Sequence, residues 1–453
     1  MPAFSNTKRT IVLVVGDVLA YVFSLILTLM IRYSIIPGRE LLAQHVQAFS
    51  VLIVIFVLVN LSAGLYDKRA AFLRTGSRNL FVTVQIVNVM IGVLFFYFAP
   101  VSIAPKANLV IYFIISTFLL YLWRAVMFPV VSHARIQNAI LVGTGADVND
   151  LFDEVNGSVR YGLRFMEKIL PAQQVETTVR RVSEAMARTR AQIIVADLYN
   201  PQIEQATPFL YSLVFTGVQI IDTERLYESI FDRIPLSIVG ERWLIEQSNT
   251  VLGTRLVYDA LKRTIDVVIA GLSGLVSLVL YPLVFIAIKL DDGGPLFTYQ
   301  ERVGKNGQPV RIVKFRSMSG EDHGRYGSAG GASKHVVTRV GRIIRTTRID
   351  ELPQLWNVVK GDLSLIGPRP ELPALTAIYE KEIPYYNARH LVKPGLSGWA
   401  QIYHEAHPHH AVDTTETSNK LSYDLYYIKN RSFGLDLKIV LRTIQILLKR
   451  MGK

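Results

Sequence analysis

The stretch Val267–Ile288 reads V-V-I-A-G-L-S-G-L-V-S-L-V-L-Y-P-L-V-F-I-A-I, 22 residues without a charge. A straight helix of that length is enough to cross a bilayer. Pro282 lies inside it, and a proline removes a helix hydrogen bond and clashes with the preceding turn. Gly271, Gly274, Ser273 and Ser277 loosen the segment further, and serine hydroxyls can satisfy freed backbone groups. The window that follows, residues 301–350, carries eleven Lys/Arg against four Asp/Glu. A full crossing would place that basic window outside, against the positive-inside tendency. The expectation is therefore a re-entrant helix over about 263–289, kinked at Pro282, that enters one leaflet and returns. Lys262 and Arg263 before it and Lys289 after it would share one headgroup layer. A plain fifth transmembrane helix is the alternative.

Upstream, four apolar stretches fill the first third, roughly Ile11–Ile31, Val46–Tyr66, Leu80–Phe98 and Leu109–Trp123. Each is close to the length of a transmembrane helix. The first lacks a small-residue cleavage site and is followed by three similar stretches, which argues against a cleaved signal peptide. Basic residues cluster before span one, between spans two and three (Lys68, Arg69, Arg74, Arg78) and after span four (Arg124, Arg135). Both ends of the bundle are thus expected to face the cytoplasm. Asp17, inside span one, reads as a satisfied packing group, with a functional intramembrane acid as the alternative.

The 453 residues are half hydrophobic and 19% charged, with a net charge of +13 and no cysteine. Mean hydropathy is +0.30. The apolar fraction excludes a disordered chain. The lack of cysteine excludes disulfides, thiolate zinc sites, iron–sulfur clusters and a cysteine nucleophile. Three domains are expected: 1–136, a four-span bundle; 137–250, a soluble α/β unit; and 251–453, with the broken apolar helix. In the middle unit Ala139–Val142 reads as a strand, Gly143-Thr-Gly145 as a tight turn and Asp147–Val155 as a helix. A dinucleotide fingerprint would need glycine where Val148 stands, so a structural or regulatory role is expected.

The chemistry concentrates in Arg345-Thr-Thr-Arg348-Ile-Asp350-Glu351-Leu-Pro353-Gln-Leu-Trp356-Asn-Val-Val-Lys360-Gly361. Leu352, Leu355, Trp356 and Val359 share a helical face, Pro353 suits a first turn and Gly361 a helix end. Asp350 and Glu351 would then lie at a helix start, where free N–H groups favour carboxylates. Arg339, Arg342, Arg345 and Arg348 recur every third residue and run into this acidic pair. Val310–Arg316 reads as a strand with Lys314 and Arg316 on one face. Leu363–Pro370 reads as a strand entering a rigid turn in which two prolines hold Arg369. Cations converging on two carboxylates imply a polyanionic substrate and a divalent metal.

These motifs, E-R-V-G-K-N-G, K-F-R-S-M, D-E-L-P-Q-L-W-N-V-V-K-G-D, G-P-R-P and K-P-G-L-S-G-W-A-Q, resemble those of the bacterial sugar transferases known as monotopic polyprenyl-phosphate phosphoglycosyl transferases. The likeness runs from about Leu261 to the C-terminus. With the spans and middle unit it resembles the large undecaprenyl-phosphate glucose or galactose phosphotransferase branch. The resemblance implies a membrane protein of α plus α/β class: a four-helix transmembrane bundle, a Rossmann-like middle domain, and a mostly α catalytic domain with a re-entrant helix. It implies transfer of a sugar-1-phosphate from a UDP-sugar to undecaprenyl phosphate, releasing UMP, through a covalent phosphosugar–aspartate. It further implies Mg²⁺, a homodimer, no nucleic-acid partner, and the bacterial inner membrane with catalysis on the cytoplasmic face. Exopolysaccharide, capsule or O-antigen synthesis would be served. By motif, Asp350 is the nucleophile and Glu351 a catalytic metal ligand. Lys314, Arg316, Arg345, Arg369, Pro370 and Asp436 would bind substrate.

Two departures stand out: Ile402-Tyr403-His404-Glu405 where the family often has Val-Asn-Gly-Arg, and Tyr281-Pro282 where many members have Ser-Pro. His404, His407, His409 and His410 do not make a zinc helix, because H-E-x-x-H would need histidine at Pro408. Leu437–Met451 reads as an interfacial amphipathic helix. Tyr258 and Lys262 have the Tyr-x-x-x-Lys spacing of a nucleotide-sugar dehydratase or epimerase, the rival enzyme reading; a non-enzymatic polysaccharide-assembly scaffold is the other.

Overall fold

A computed structural model describes residues 6–63, 65–66, 75–98, 106–127, 136–158, 161–241, 243–246, 256–319, 336–403 and 413–451. The histidines at 404, 407, 409 and 410 lie outside the described residues, as do the basic positions at 68, 69, 74 and 135. The chain forms two compact units, one of 1–143, 150–195 and 208–220, the other of 144–149, 196–207 and 221–453.

In the first unit, α1 (Asn6–Tyr33), α2 (Arg39–Ser62), α3 (Thr75–Phe98) and α4 (Lys106–Leu122) form the expected helices. By length and composition Thr10–Tyr33, Arg39–Leu61 and Asn108–Met127 are long and apolar enough to cross a membrane, as is Leu256–Asp291; Phe81–Tyr97 is a shorter apolar helix. Their outer faces expose Val15, Leu19, Phe23, Val54, Ile86 and Ile114, while Tyr21, Phe49, Phe56 and Tyr112 are buried. Asp17 is buried and paired with Arg124, which sits in a π-turn at Trp123–Met127. Tyr66 donates to Asp17 Oδ2 at 2.7 Å, and Arg124 Nη1 donates to the Leu65 carbonyl at 3.1 Å. An ionised side chain among apolar helices is costly unless paired, and here the partner and hydrogen bonds are supplied by the bundle itself. Asp17 is therefore a packing group. A Cβ on Gly16 would stand 1.9 Å from the Trp123 ring, so only glycine admits this close approach.

The same unit carries most of a four-stranded sheet in the order β2-β1-β3-β4, with β1 (Gln137–Val142) parallel to β2 (Leu163–Ile169), then β3 (Ile193–Ala196) and β4 (Gln219–Asp222). Helices α5 (Ala146–Asn156) and α6 (Val175–Thr189) connect its first three strands. Gly145 takes the tight turn with φ +105°. Val148 is fully buried, filling with a side chain the place where the fingerprint needs glycine.

The second unit holds α7 (Thr223–Phe231) and the chain from α8 (Leu256–Ser277) onward. Residues 221–246, counted with the middle domain from sequence, pack here: Ile234 and Trp243 join Tyr386, Trp399 and Tyr427 in one core. A 3₁₀ turn, Leu278–Leu280, separates α8 from α9 (Tyr281–Asp291), and Pro282 sits in the first turn of α9. Ser277 Oγ donates to the Gly274 carbonyl at 2.7 Å, as the serines of this segment were expected to do. A straight helix would separate residues 263 and 292 by about 43 Å. Yet Arg263 bonds the Val358 and Val359 carbonyls, Asn357 bonds Val313, and Arg316, three residues further on, bonds Asp292. Both ends are thus tied to neighbouring segments of one region, with the 3₁₀ turn between them.

That region is a hairpin of β5 (Phe297–Val303) and β6 (Pro309–Phe315) against α10 (Arg339–Thr346) and α11 (Gln354–Lys360). Ala270 of α8 packs with Ile312, Leu355 and Val358, while Val284 and Ile288 of α9 pack with Phe315 and Ile344. The buried face of α11 is therefore 355/358. Trp356 is more exposed, and its ring lies over α8 at Gly274, 3.4 Å from where a Cβ would stand. Further elements are β7 (Ser364–Ile366), α12 (Pro373–Glu382), β8 (Gly395–Ser397), α13 (Trp399–Tyr403), α14 (Thr414–Asn430) and α15 (Phe433–Met451). Strands β7 and β8 pair in parallel.

Candidate active site

Thr338 caps α10, accepting from Gly341 N, and the helix delivers Arg345 and then Arg348. Arg348 takes φ +60°, a sharp reversal that ends the helix. The next three residues, Ile349–Glu351, form a 3₁₀ turn, so the acidic pair precedes α11 by a turn instead of opening it. Gly361, at φ +102°, closes α11 as expected, its N–H bonded to the Asn357 and Val358 carbonyls.

Glu351 Oε1 is the meeting point of three cations: Arg348 Nη1 at 3.1 Å, Arg369 Nη2 at 3.3 Å and Lys314 Nζ at 3.9 Å. Burial alone would raise its pKa, but Arg369, Lys314 and Arg348 outweigh burial and hold it at about 2. Asp350 behaves oppositely. Burial, and then the Glu351 charge, push it up to about 6 against the pull of Lys314, Arg348 and Arg345. Burial also brings Lys314 down to about 8, opposed by Glu351 and helped by Arg369 and Arg302. Two adjacent carboxyls with pKa values driven apart are suited to different roles. Asp350 Oδ1 is buried with no hydrogen-bond partner among the described residues.

Arg369 is fixed from its backbone outward. Pro370 restricts its dihedrals, and Pro368 fixes the backbone of the residue before it. The carbonyls of residues 368–371 are each bonded: Pro368 by Gly395 N at 2.9 Å, Arg369 by Arg389 Nη2 at 3.0 Å, Pro370 by Arg302 Nη1 at 3.3 Å and Glu371 by Val303 N at 2.9 Å. Lys314 is fixed through Asn357, whose Oδ1 accepts from Val313 N at 3.1 Å and whose Nδ2 donates to the Arg311 carbonyl at 2.8 Å.

The structure thus brings Asp350, Glu351, Lys314 and Arg369 together, with Arg345 close enough to act on Asp350 and Pro370 serving through its carbonyl. Arg316 goes elsewhere: β6 ends at Phe315, and Arg316 pairs with Asp292 at 2.8 Å. Asp436, in the first turn of α15, accepts from Tyr258 Oη at 2.7 Å, Lys262 Nζ at 3.1 Å and Tyr427 Oη at 2.9 Å. Tyr258 and Lys262, the pair behind the dehydratase reading, are both bound to this carboxylate. Pro282 stands in the first turn of α9, just after the 3₁₀ turn. Three contributors were not singled out from sequence: Asn357, Arg302 and Arg389, which act through contacts distant in sequence. Arg348 reads from sequence only as part of the basic stripe, and its reversal at φ +60° brings it onto Glu351, three residues on.

A divalent metal fits this donor set. Mg²⁺ is commonly held by one or two carboxylates with substrate phosphates completing its shell. The unpartnered buried Asp350 Oδ1 beside Glu351 meets that description. No larger cluster of His, Cys, Asp or Glu is present among the described residues.

The family model described as bacterial sugar transferase matches residues 257–450. A UDP-N-acetylgalactosamine-undecaprenyl-phosphate N-acetylgalactosaminephosphotransferase of Aeromonas hydrophila is 37% identical over 274 residues, 59% of this chain and 61% of that protein. A UDP-glucose:undecaprenyl-phosphate glucose-1-phosphate transferase of Caulobacter vibrioides is 42% identical over 195 residues, 43% of this chain and 72% of that protein. The protein of that same name from Escherichia coli is 38% identical over 185 residues, 41% of this chain and 39% of that protein. The match thus spans less than two thirds of the Aeromonas and Escherichia relatives.

Proposed function

The chain belongs to the bacterial sugar transferase family, and on that premise we propose that it moves a sugar-1-phosphate from a UDP-sugar to undecaprenyl phosphate. A carboxylate oxygen of Asp350 attacks the sugar-bearing phosphorus, the bond to the second phosphate breaks, and UMP leaves. An oxygen of the lipid phosphate then attacks the same phosphorus, the aspartyl bond breaks, and the Asp350 carboxylate is restored. The observation that carries this reading is the contrast within the acidic pair: Asp350 buried with an unpartnered Oδ1, Glu351 held by three cations. At neutral pH a carboxyl near 6 is largely ionised and more basic than its neighbour, hence the better nucleophile of the two. Arg369, Arg348 and Lys314 offer positive charge to the diphosphate as charge shifts onto the leaving UMP. Glu351 would hold Mg²⁺, which when bound would neutralise phosphate oxygens.

Lys262 and Lys289 would lie at one membrane face, so that α8 and α9 enter and leave the same leaflet. The 3₁₀ turn at Leu278–Leu280, the proline just after it and the ties of both ends to neighbouring segments support this. The catalytic unit would face the cytoplasm of the inner membrane, where its cations meet a soluble donor and a lipid acceptor. The test is UMP release by the purified full chain with undecaprenyl phosphate and, in turn, UDP-glucose, UDP-galactose and UDP-N-acetylgalactosamine. At least one donor should release UMP in a lipid-dependent way, and D350N should release none. Lipid-dependent release by D350N would overturn the assignment.

A further inference from the structure

We propose that Arg389 is a positioning residue for the transfer reaction, acting through Arg369; this rests on the function proposed above. Arg389 lies in a 3₁₀ turn, Tyr386–Leu391, and is 6% exposed. Its Nη2 donates both to the Arg369 carbonyl at 3.0 Å and to Asp424 Oδ2 at 2.8 Å. Its Nη1 donates to Tyr386 Oη at 2.5 Å and lies 3.8 Å from Glu371 Oε1. The guanidinium also sits 5.1 Å over the Tyr386 ring. A planar fork that reaches a backbone carbonyl, a carboxylate and a phenol at once is a task for arginine, not for the single ammonium of lysine.

The carbonyl it holds is the informative one. Pro368 and Glu371 are bonded by backbone N–H groups of neighbouring segments, which the fold supplies in any case. Arg369 O faces a side chain from 20 residues away. Arg369 precedes a proline, so its peptide plane cannot be steadied by an N–H on the next residue. Arg389 therefore sets the tilt of the peptide that carries the Arg369 side chain to Glu351, 3.3 Å away. Misplacement of a positioned charge by about 1 Å can cost on the order of a hundredfold in rate.

The experiment is a double-mutant cycle of wild type, R389K, R369Q and the double variant. It is read by kcat/KM for UMP release from a UDP-sugar with undecaprenyl phosphate, and by thermal unfolding without substrate. R389K keeps a cation against Asp424, so it should melt within a few degrees of wild type. It should lower kcat/KM about tenfold and add less than about twofold in the R369Q background. The stability losses should likewise be non-additive. Equal activity losses in both backgrounds, full activity in folded R389K, or additive stability losses overturn the proposal. Should R389K not fold, Y386F removes one acceptor of the fork instead. It should give a loss of about threefold, again absent beside R369Q, and equal losses in both backgrounds again refute it. A wild type that releases no UMP counts against the function, while the stability cycle still decides the role of Arg389.

Discussion

Replacing Glu351 by glutamine keeps the shape of the side chain and removes the charge on which three cations converge. Its pKa falls from 4.5 to about 2 in the folded protein in spite of burial. A difference of about 2.5 units corresponds to about 3 kcal/mol favouring the ionised form. Because the folded-state value lies below the unfolded one, this stabilisation is fully present above pH 4.5 and is lost as pH falls towards 2. E351Q should therefore be on the order of 3 kcal/mol less stable at pH 7, and the gap should close in acid. In the same variant Asp350 loses the neighbouring charge that helps raise it. Activity should fall by orders of magnitude and its Mg²⁺ dependence should weaken, because a ligand charge is gone. Unfolding of the detergent-solubilised full chain from pH 7 to pH 3, with a Mg²⁺ titration of UMP release, reads all three effects. Equal stability at pH 7 together with an unchanged Mg²⁺ titration would show that Glu351 is a solvated cap, and the reasoning would fail.

Asn357→Ala leaves the Val313 N–H and the Arg311 carbonyl without their side-chain partner; a loss of about 2 kcal/mol is expected, with reduced activity as Lys314 loses its register, measured by unfolding and UMP release. Burial, and then Arg389, hold His390 down at about 4 from 6.5, so its contribution is complete above pH 6.5 and is lost as pH falls towards 4, by about 3 kcal/mol in all; H390Q should flatten that part of the stability curve, and an unchanged curve refutes the assignment. Pro282→Leu should restore the helix hydrogen bond and straighten α8–α9, giving mixed topology and reduced activity. Single cysteines at Ser5 and Ser319, probed with an impermeant thiol reagent in spheroplasts, should both be protected in the Pro282 chain. Labelling at Ser319 but not Ser5 there would mean a full crossing.

The features legible in sequence are those fixed by local rules. Apolar length gave the helices, Gly361 its left-handed end, and the proline pair the rigid frame of Arg369. Asp17 was legible as a packing group because a charge amid apolar helices needs a partner, although Arg124 could not be named from sequence. What was hidden depends on contacts far apart along the chain. Strand alternation puts Lys314 and Arg316 on one face, but the strand stops at Phe315 where Asp292 captures Arg316. Helical periodicity puts Leu352, Leu355, Trp356 and Val359 on one face; Leu355 is buried with Leu352 and Val359 packed on the same core, Val358 is buried beside it, and Trp356 instead covers Gly274. At Tyr281 the ring packs against Phe315, with centroids 4.8 Å apart, a contact between segments distant in sequence. Asn357 and Arg389 read as ordinary polar positions until their backbone partners are seen.

The central claim is that Asp350 carries the phosphosugar. Incubating the full chain with a UDP-sugar labelled in the sugar, without lipid acceptor, should leave a labelled adduct. Peptide mass spectrometry after acid quenching should place it on Asp350, and undecaprenyl phosphate should discharge it. D350N should carry no label. A labelled adduct that persists in D350N, or a wild type that releases UMP only when both substrates are present and never carries label, would contradict the account.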